Sequence, residues 1–157
     1  MANRELKTLT FSPDRCTGCR ICEEACVTYH YDEINLARSR IRVIRDDDEG
    51  LDIVTVCVQC EEKPCIPSCP VEVISANDDG TITIDDFCIE CNLCKDACLY
   101  SGTHPDPKGG KYIVCDLCDG DPQCVQWCPF DVIQYTEEYN EEKDERHKEL
   151  INLIERK

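Results

Sequence analysis

Sixteen of the 157 residues are cysteines, and they fall into four groups of four. Cys16, Cys19, Cys22 and Cys26 are spaced C-x2-C-x2-C-x3-C. Cys57, Cys60, Cys65 and Cys69 are spaced C-x2-C-x4-C-x3-C and run into Pro70. Cys88, Cys91, Cys94 and Cys98 repeat the first spacing unchanged. Cys115, Cys118, Cys124 and Cys128 are spaced C-x2-C-x5-C-x3-C and are followed by Pro129. Three thiolates this close on a tight loop can wrap three corners of an iron–sulfide cubane, with nearby backbone N–H groups bonding the sulfides. A fourth cysteine about one helical turn further on points away towards a second centre. That is how the bacterial ferredoxin run works, its last cysteine serving the other cluster. The pattern implies four 4Fe-4S clusters on sixteen cysteine ligands.

Two other uses of cysteine are weighed against this. Zinc ribbons pair two C-x2-C knuckles across a longer gap and carry no third and fourth cysteine at these spacings. A disulfide scaffold belongs to exported chains. Met1 to Leu9, MANRELKTL, has no apolar segment of the signal-peptide kind, so a cytoplasmic protein with reduced thiols is expected. No stretch approaches the roughly 18 to 20 apolar residues of a membrane span.

Composition agrees with a metal scaffold. Apolar residues other than cysteine make up roughly 31% of the chain, a thin supply for an ordinary core. The formal net charge of −16 repels nucleic-acid phosphates and anionic lipid. The same field opposes the addition of an electron and so depresses cluster potentials.

The cysteines need short elements to hold them. Strand-like runs precede each quartet at Leu9 to Phe11, Ile53 to Val56, Thr81 to Ile84 and Tyr112 to Val114. Short helices are expected after Cys22, Cys65, Cys94 and Cys124. Between the second and third quartets, a strand or turn near Val73 and Ile74 and a turn at Asp78-Asp79-Gly80 make residues 57–98 look self-contained. This predicts a small α+β fold with two ferredoxin-like two-cluster units, one inserted in the other. Residues 1–56 and 99–135 form the outer unit, 57–98 the inserted one, and 136–157 a C-terminal helix. Metal supplies much of the folding free energy.

The inserted unit pairs the middle quartets. One cluster takes Cys57, Cys60, Cys65 and Cys98; its neighbour takes Cys69, Cys88, Cys91 and Cys94. By exclusion the outer quartets exchange their last cysteines. Cys16, Cys19 and Cys22 then join Cys128, and Cys26 joins Cys115, Cys118 and Cys124. The alternative is sequential pairing, first quartet with second and third with fourth.

Four such quartets, with the C-x2-C-x4-C-x3-C-P form second, resemble the electron-transfer subunits of the dimethyl-sulfoxide-reductase superfamily. The run CDLCDGDPQCVQWCP is similar to the short polyferredoxin subunits of tungsten-containing aldehyde oxidoreductases and related benzoyl-CoA reductases. The likeness covers about residues 8–135. It implies the nested ligand sets and a non-catalytic, anaerobic electron-transfer role. The implied partners are a large tungstopterin aldehyde oxidoreductase-type subunit and a flavin subunit or soluble acceptor. The alternative partner is a hydrogenase, formate dehydrogenase or carbon-monoxide dehydrogenase. Val27 after Cys26 and Leu99 after Cys98 depart from the proline common in ferredoxin units. The fourth quartet lacks the long insertion of membrane-linked relatives, which argues against a quinone-linked subunit.

Other features carry less. Arg38, Arg40, Arg42 and Arg45 read as a basic strand face, either a docking surface for an acidic partner or another copy, or a solvated hairpin. The C-terminal helix, with Thr136 as N-cap, Glu137 and Glu138 at its start and Arg156 and Lys157 at its end, carries Leu150, Ile151, Leu153 and Ile154 in its last turns. It either grips a partner or another copy, or folds back over its own chain. His30, His104 and His147 are read as surface or hydrogen-bonding residues, and Tyr29, Tyr100 and Trp127 as shields for nearby clusters. No nucleophile–base pair, phosphate loop or paired-carboxylate site appears, so no substrate chemistry is assigned.

Overall fold

The computed structural model describes residues 7–137 and 141–155. Its strands form four two-stranded antiparallel ribbons. They are β1 (Thr8–Phe11) with β8 (Ile133–Thr136), β2 (Arg42–Asp46) with β3 (Leu51–Thr55), β4 (Ile74–Ala76) with β5 (Ile82–Ile84), and β6 (Thr103–Pro105) with β7 (Tyr112–Val114). The helices are α1 (Ile21–Tyr31), α2 (Cys65–Ser68), α3 (Leu93–Ala97), α4 (Gln123–Trp127) and α5 (Glu141–Glu155). The class is α+β, as expected.

The β1–β8 ribbon pairs the first strand with the last, with Thr8 opposite Thr136 and Phe11 opposite Ile133. Leu9 and Phe11 alternate inward from β1, as the two-residue period of a strand requires. In the β2–β3 turn, the Asp46 carboxylate accepts from the Asp48 and Glu49 N–H groups, and Gly50 takes a left-handed φ of 65°. Helix α1 packs on α4, and α2 on α3. The core is built from β-strand aliphatics such as Val43, Val54, Ile74 and Ile133 interleaved with cysteines.

Several details differ from the sequence expectation. The short helices begin at or before the cysteines they were expected to follow, so Cys22, Cys65, Cys94 and Cys124 all lie within them. Thr136 ends a strand and does not cap the last helix, because its backbone pairs with Thr8. Glu138, Arg156 and Lys157 lie outside the described residues. Arg42 and Arg45, three apart in β2, point to opposite faces and so share no basic face. The arginines also have internal partners. Arg38 pairs with Glu33 and Asp106, Arg40 with Asp116, and Arg45 with Asp52, while Arg42 donates to the Ala37 carbonyl.

Helix α5 folds back over its own chain, packing on β1 and β3. Ile151 and His147 are its buried residues. The His147 Nε2–H donates to the Val54 carbonyl at 2.6 Å, and its ring lies 4.5 Å from Phe11. At the other edge Tyr100 donates to Asp144 at 3.0 Å and Ser101 to Glu155.

Candidate iron–sulfur sites

The helices and the loops before them bring the sixteen cysteines into four places. Cys57, Cys60, Cys65 and Cys98 line one cavity of about 510 Å³, roofed by α5. Cys69, Cys88, Cys91 and Cys94 line a second, and Cys16, Cys19, Cys22 and Cys128 a third. Cys26, Cys115, Cys118 and Cys124 form the fourth group, close enough to raise one another's pKa. Each group takes three cysteines from one segment and one from another.

The four groups adjoin one another in succession, a row of neighbours. Cys65 feels the charge of Cys94, Cys57 that of Cys115, and Cys124 that of Cys22. The Cys69/88/91/94 and Cys16/19/22/128 groups are therefore at the ends, and the other two lie between them. Cys91 and Cys19, one in each end group, are the two exposed cysteines. Cys57, Cys65, Cys115, Cys118 and Cys124 in the middle groups are buried.

The loops that carry the cysteines are wound in an uncommon way. Gly18 and Arg20, Gln59, Glu90 and Asn92, and Leu117 with Cys118 all have φ between 49° and 69°. Left-handed turns between successive cysteines aim neighbouring N–H groups into one concavity, which favours anionic sulfur. For a residue with a side chain this costs roughly 1–2 kcal/mol each, a strain borne where the loop must enclose something. Sequence reasoning missed these positions, because Arg, Gln, Glu and Leu carry no preference for that region.

The electrostatics fit a cationic guest. Burial pushes the Cys22 and Cys115 thiols up to about 12, and those of Cys65 and Cys118 to about 11. Burial also raises Cys57 and Cys124 strongly, and neighbouring sulfurs push in the same direction. Four clustered thiolates are unstable unless positive charge is placed among them, and iron supplies that charge to soft sulfur ligands. Backbone donors are already present, with N–H groups of Arg40, Gly102 and Leu117 lying 3.3–3.4 Å from the sulfurs of Cys26, Cys98 and Cys115.

His30 keeps its expected hydrogen-bonding role, while His104, Tyr29 and Trp127 depart from theirs. His30 sits beside a cluster cysteine, its Nε2 3.3 Å from Asp116 and 3.7 Å from the Cys118 sulfur. The three groups could hold an ion, but Cys118 already belongs to the fourth cysteine group. His104 is buried, with desolvation and Arg42 driving its pKa down to about 3. Tyr100 lines the large cavity and is buried, whereas Tyr29 and Trp127 are largely exposed and shield little.

Comparison with known proteins agrees with this chemistry. Residues 9–26 match the 4Fe-4S binding domain family. The chain is 37% identical over 122 residues to the polyferredoxin-like subunit of aliphatic sulfonate oxidoreductase from Pyrococcus furiosus, covering 76% of this chain and 70% of that one. The chain belongs to the polyferredoxin-like iron–sulfur electron-transfer subunits. This polyferredoxin is also 33% identical over 141 residues to the electron transport protein HydN of Escherichia coli, covering 73% and 79% of the two chains. Its fold resembles a chain of the active site complex BamBC of benzoyl coenzyme A reductase with benzoyl-CoA. There the TM-score is 0.50 and the identity 28%, over 96% of this polyferredoxin and 91% of the other chain. Among its described residues no helix is long and apolar enough to cross a membrane.

Proposed function

We propose that this polyferredoxin holds four 4Fe-4S clusters and passes single electrons between a catalytic subunit and a second carrier. The ligand sets are Cys16, Cys19, Cys22 and Cys128; Cys26, Cys115, Cys118 and Cys124; Cys57, Cys60, Cys65 and Cys98; and Cys69, Cys88, Cys91 and Cys94. Residues 57–98 are then a ferredoxin-like unit inserted in an outer one formed by 1–56 and 99–135. The packing of α1 on α4 and of α2 on α3 supports this nesting, because each helix pair carries the two quartets that would exchange cysteines.

The observation that carries the reading is the gathering of the cysteines into groups of four, each drawn from two segments, with exposed Cys19 and Cys91 in two of the groups. Bound clusters supply one-electron carriers of low potential. The chain's own residues hold the sulfurs in place, donate N–H groups to them and bury most of the middle pair's cysteines. The catalytic partner is a tungstopterin aldehyde oxidoreductase-type subunit, with a flavin subunit or soluble acceptor beyond. The likeness to a chain of the benzoyl coenzyme A reductase active site complex supports a partner of this broad kind.

Anaerobic analysis of the purified chain tests the count, with about sixteen irons and sixteen sulfides expected. A zinc-dominated preparation overturns it. Replacing Cys98 tests the pairing, since damage should fall on the cluster of Cys57, Cys60 and Cys65. Gentle anaerobic purification tests the partner, and co-elution with a tungsten-containing large subunit is expected. Recovery with a nickel enzyme alone defeats the tungsten assignment.

A further inference from the structure

One end of the row carries an apolar patch inside an acidic rim. Phe87 is 85% exposed and Ile89 59%, and Leu93 and Val71 are exposed beside them. Val71 and Ile89 line the same cavity as Cys69, Cys88, Cys91 and Cys94, and Cys91 itself is exposed. Val71 and Ile89 therefore border the most accessible cysteine of this group, and Phe87 and Leu93 directly precede Cys88 and Cys94 in the chain. Bare aromatic and aliphatic surface of this kind, gathered around a functional centre, marks an interaction site.

The rim defines the partner. Glu72, Asp85, Asp86, Glu90 and Asp96, chain neighbours of the patch residues, are all exposed, with Lys95 as the exposed cation among them and Lys111 paired to Asp86 at 2.5 Å. The opposite end differs, with Trp127 and Phe130 exposed there and the cations Arg15 and Arg20 beside Cys16 and Cys19. A second copy would bring the same acidic rim against this one and be repelled, as would an anionic membrane. A basic rim would be steered in, and an apolar centre would close over Phe87.

We infer that the Val71/Phe87/Ile89/Leu93 patch is the docking site for a soluble redox protein with a basic rim around an apolar electron-transfer face. The inference rests on the proposed clusters and their row. It names the end at which electrons are exchanged with a mobile carrier, leaving the Trp127 end for the fixed subunit. One electron crosses per encounter, with one cluster of the chain oxidised as the carrier is reduced.

The test uses the cluster-loaded full chain, reduced and freed of excess reductant, with cytochrome c as a basic redox probe in stopped flow. The second-order rate constant should fall steeply as salt rises. The double variant Phe87→Ser with Ile89→Ser should lower it about tenfold or more. The neutralising pair Asp85→Asn with Glu90→Gln should lower it at low salt and match the parent at high salt. Trp127→Ser should stay within about twofold of the parent. Equal rates for the parent and both patch variants overturn the inference, as does a larger loss with Trp127→Ser. Iron and sulfide are assayed in each sample. A parent without clusters defeats the proposed function, whereas a loaded parent with indifferent patch variants defeats the docking site alone. If the serine variant loses iron, the neutralising pair decides.

Discussion

The buried Gln59 side chain donates from Nε2 to the Cys115 carbonyl at 2.6 Å, and its Oε1 accepts from the Ile82 N–H at 2.9 Å. One amide thus ties the loop of the second quartet to β5 on one side and to the fourth quartet on the other. Gln59 also has a φ of 55°, so its backbone turns the Cys57–Cys60 loop while its side chain spans the gap between the middle cysteine groups.

Gln59→Leu should leave a buried carbonyl and a buried N–H unpaired, at about 1–3 kcal/mol for each group. Because cluster loss makes unfolding irreversible, the effect is read as a rate. Visible absorbance in guanidinium should bleach at least tenfold faster than in the parent, and equal rates would remove Gln59 from this role.

Gly102 is tightly constrained for a different reason. A Cβ there would lie 2.5 Å from both the Cα and the N of Cys57 and 2.8 Å from the Val56 carbonyl carbon, all backbone atoms that cannot swing away. Its N–H also faces the Cys98 sulfur at 3.3 Å. Gly102→Ala should displace two cysteines of one cavity and lower iron content by about a quarter. Gly50→Asn, in an open turn, should keep the full complement.

Helix α5 roofs the cavity of Cys57, Cys60, Cys65 and Cys98, so removing residues 141–157 should expose that group to solvent. Bleaching in air is expected to be several-fold faster, with one cluster lost first by electron paramagnetic resonance. Ile151→Ala should act in the same direction more weakly, since truncating a buried isoleucine costs about 2–5 kcal/mol. Unchanged air sensitivity in both proteins would show that the helix does not protect the site.

The pH dependence of this roof follows from His147. Burial holds its pKa below the ordinary 6.5, with the Val54 bond and Asp144 opposing only in part. The undocked helix therefore binds a proton that the docked helix does not, and docking strengthens as pH rises. The gain should be complete above pH 6.5 and be lost progressively as pH falls through 6.5 towards the folded-state value. Hydrogen exchange of α5 amides, corrected for intrinsic rates, should show less protection at pH 5.5 than at 7.5. His147→Gln should flatten the profile.

The four quartets were legible because thiol spacing is a local property, and the strands before them because β-branched runs are local too. The β1–β8 ribbon was not legible, since Thr8–Phe11 meets Ile133–Thr136 from the far end of the chain and neither run indicates its mate. Thr136 was read as a helix cap for the same reason, its strand role depending on Thr8. The apolar residues of α5 identified a buried face without showing what covers it. Within the sites, the left-handed turns at Arg20, Gln59 and Leu117 follow from enclosing the cysteine groups, and their residue types conceal them.

Closure of the third cavity by Cys128 bears on how the protein is made. Cys16, Cys19 and Cys22 leave the ribosome first, yet the fourth cysteine of their cavity is the last in the chain. Residues 57–98 supply both of their own cysteine groups before Cys115 has been synthesised. The early thiols must therefore wait, bare or in the keeping of an assembly factor, while the inner segment is completed. Any chain released short of Cys128 would carry at least three open thiols at its N-terminal end, a target for oxidation and for the cell's proteases.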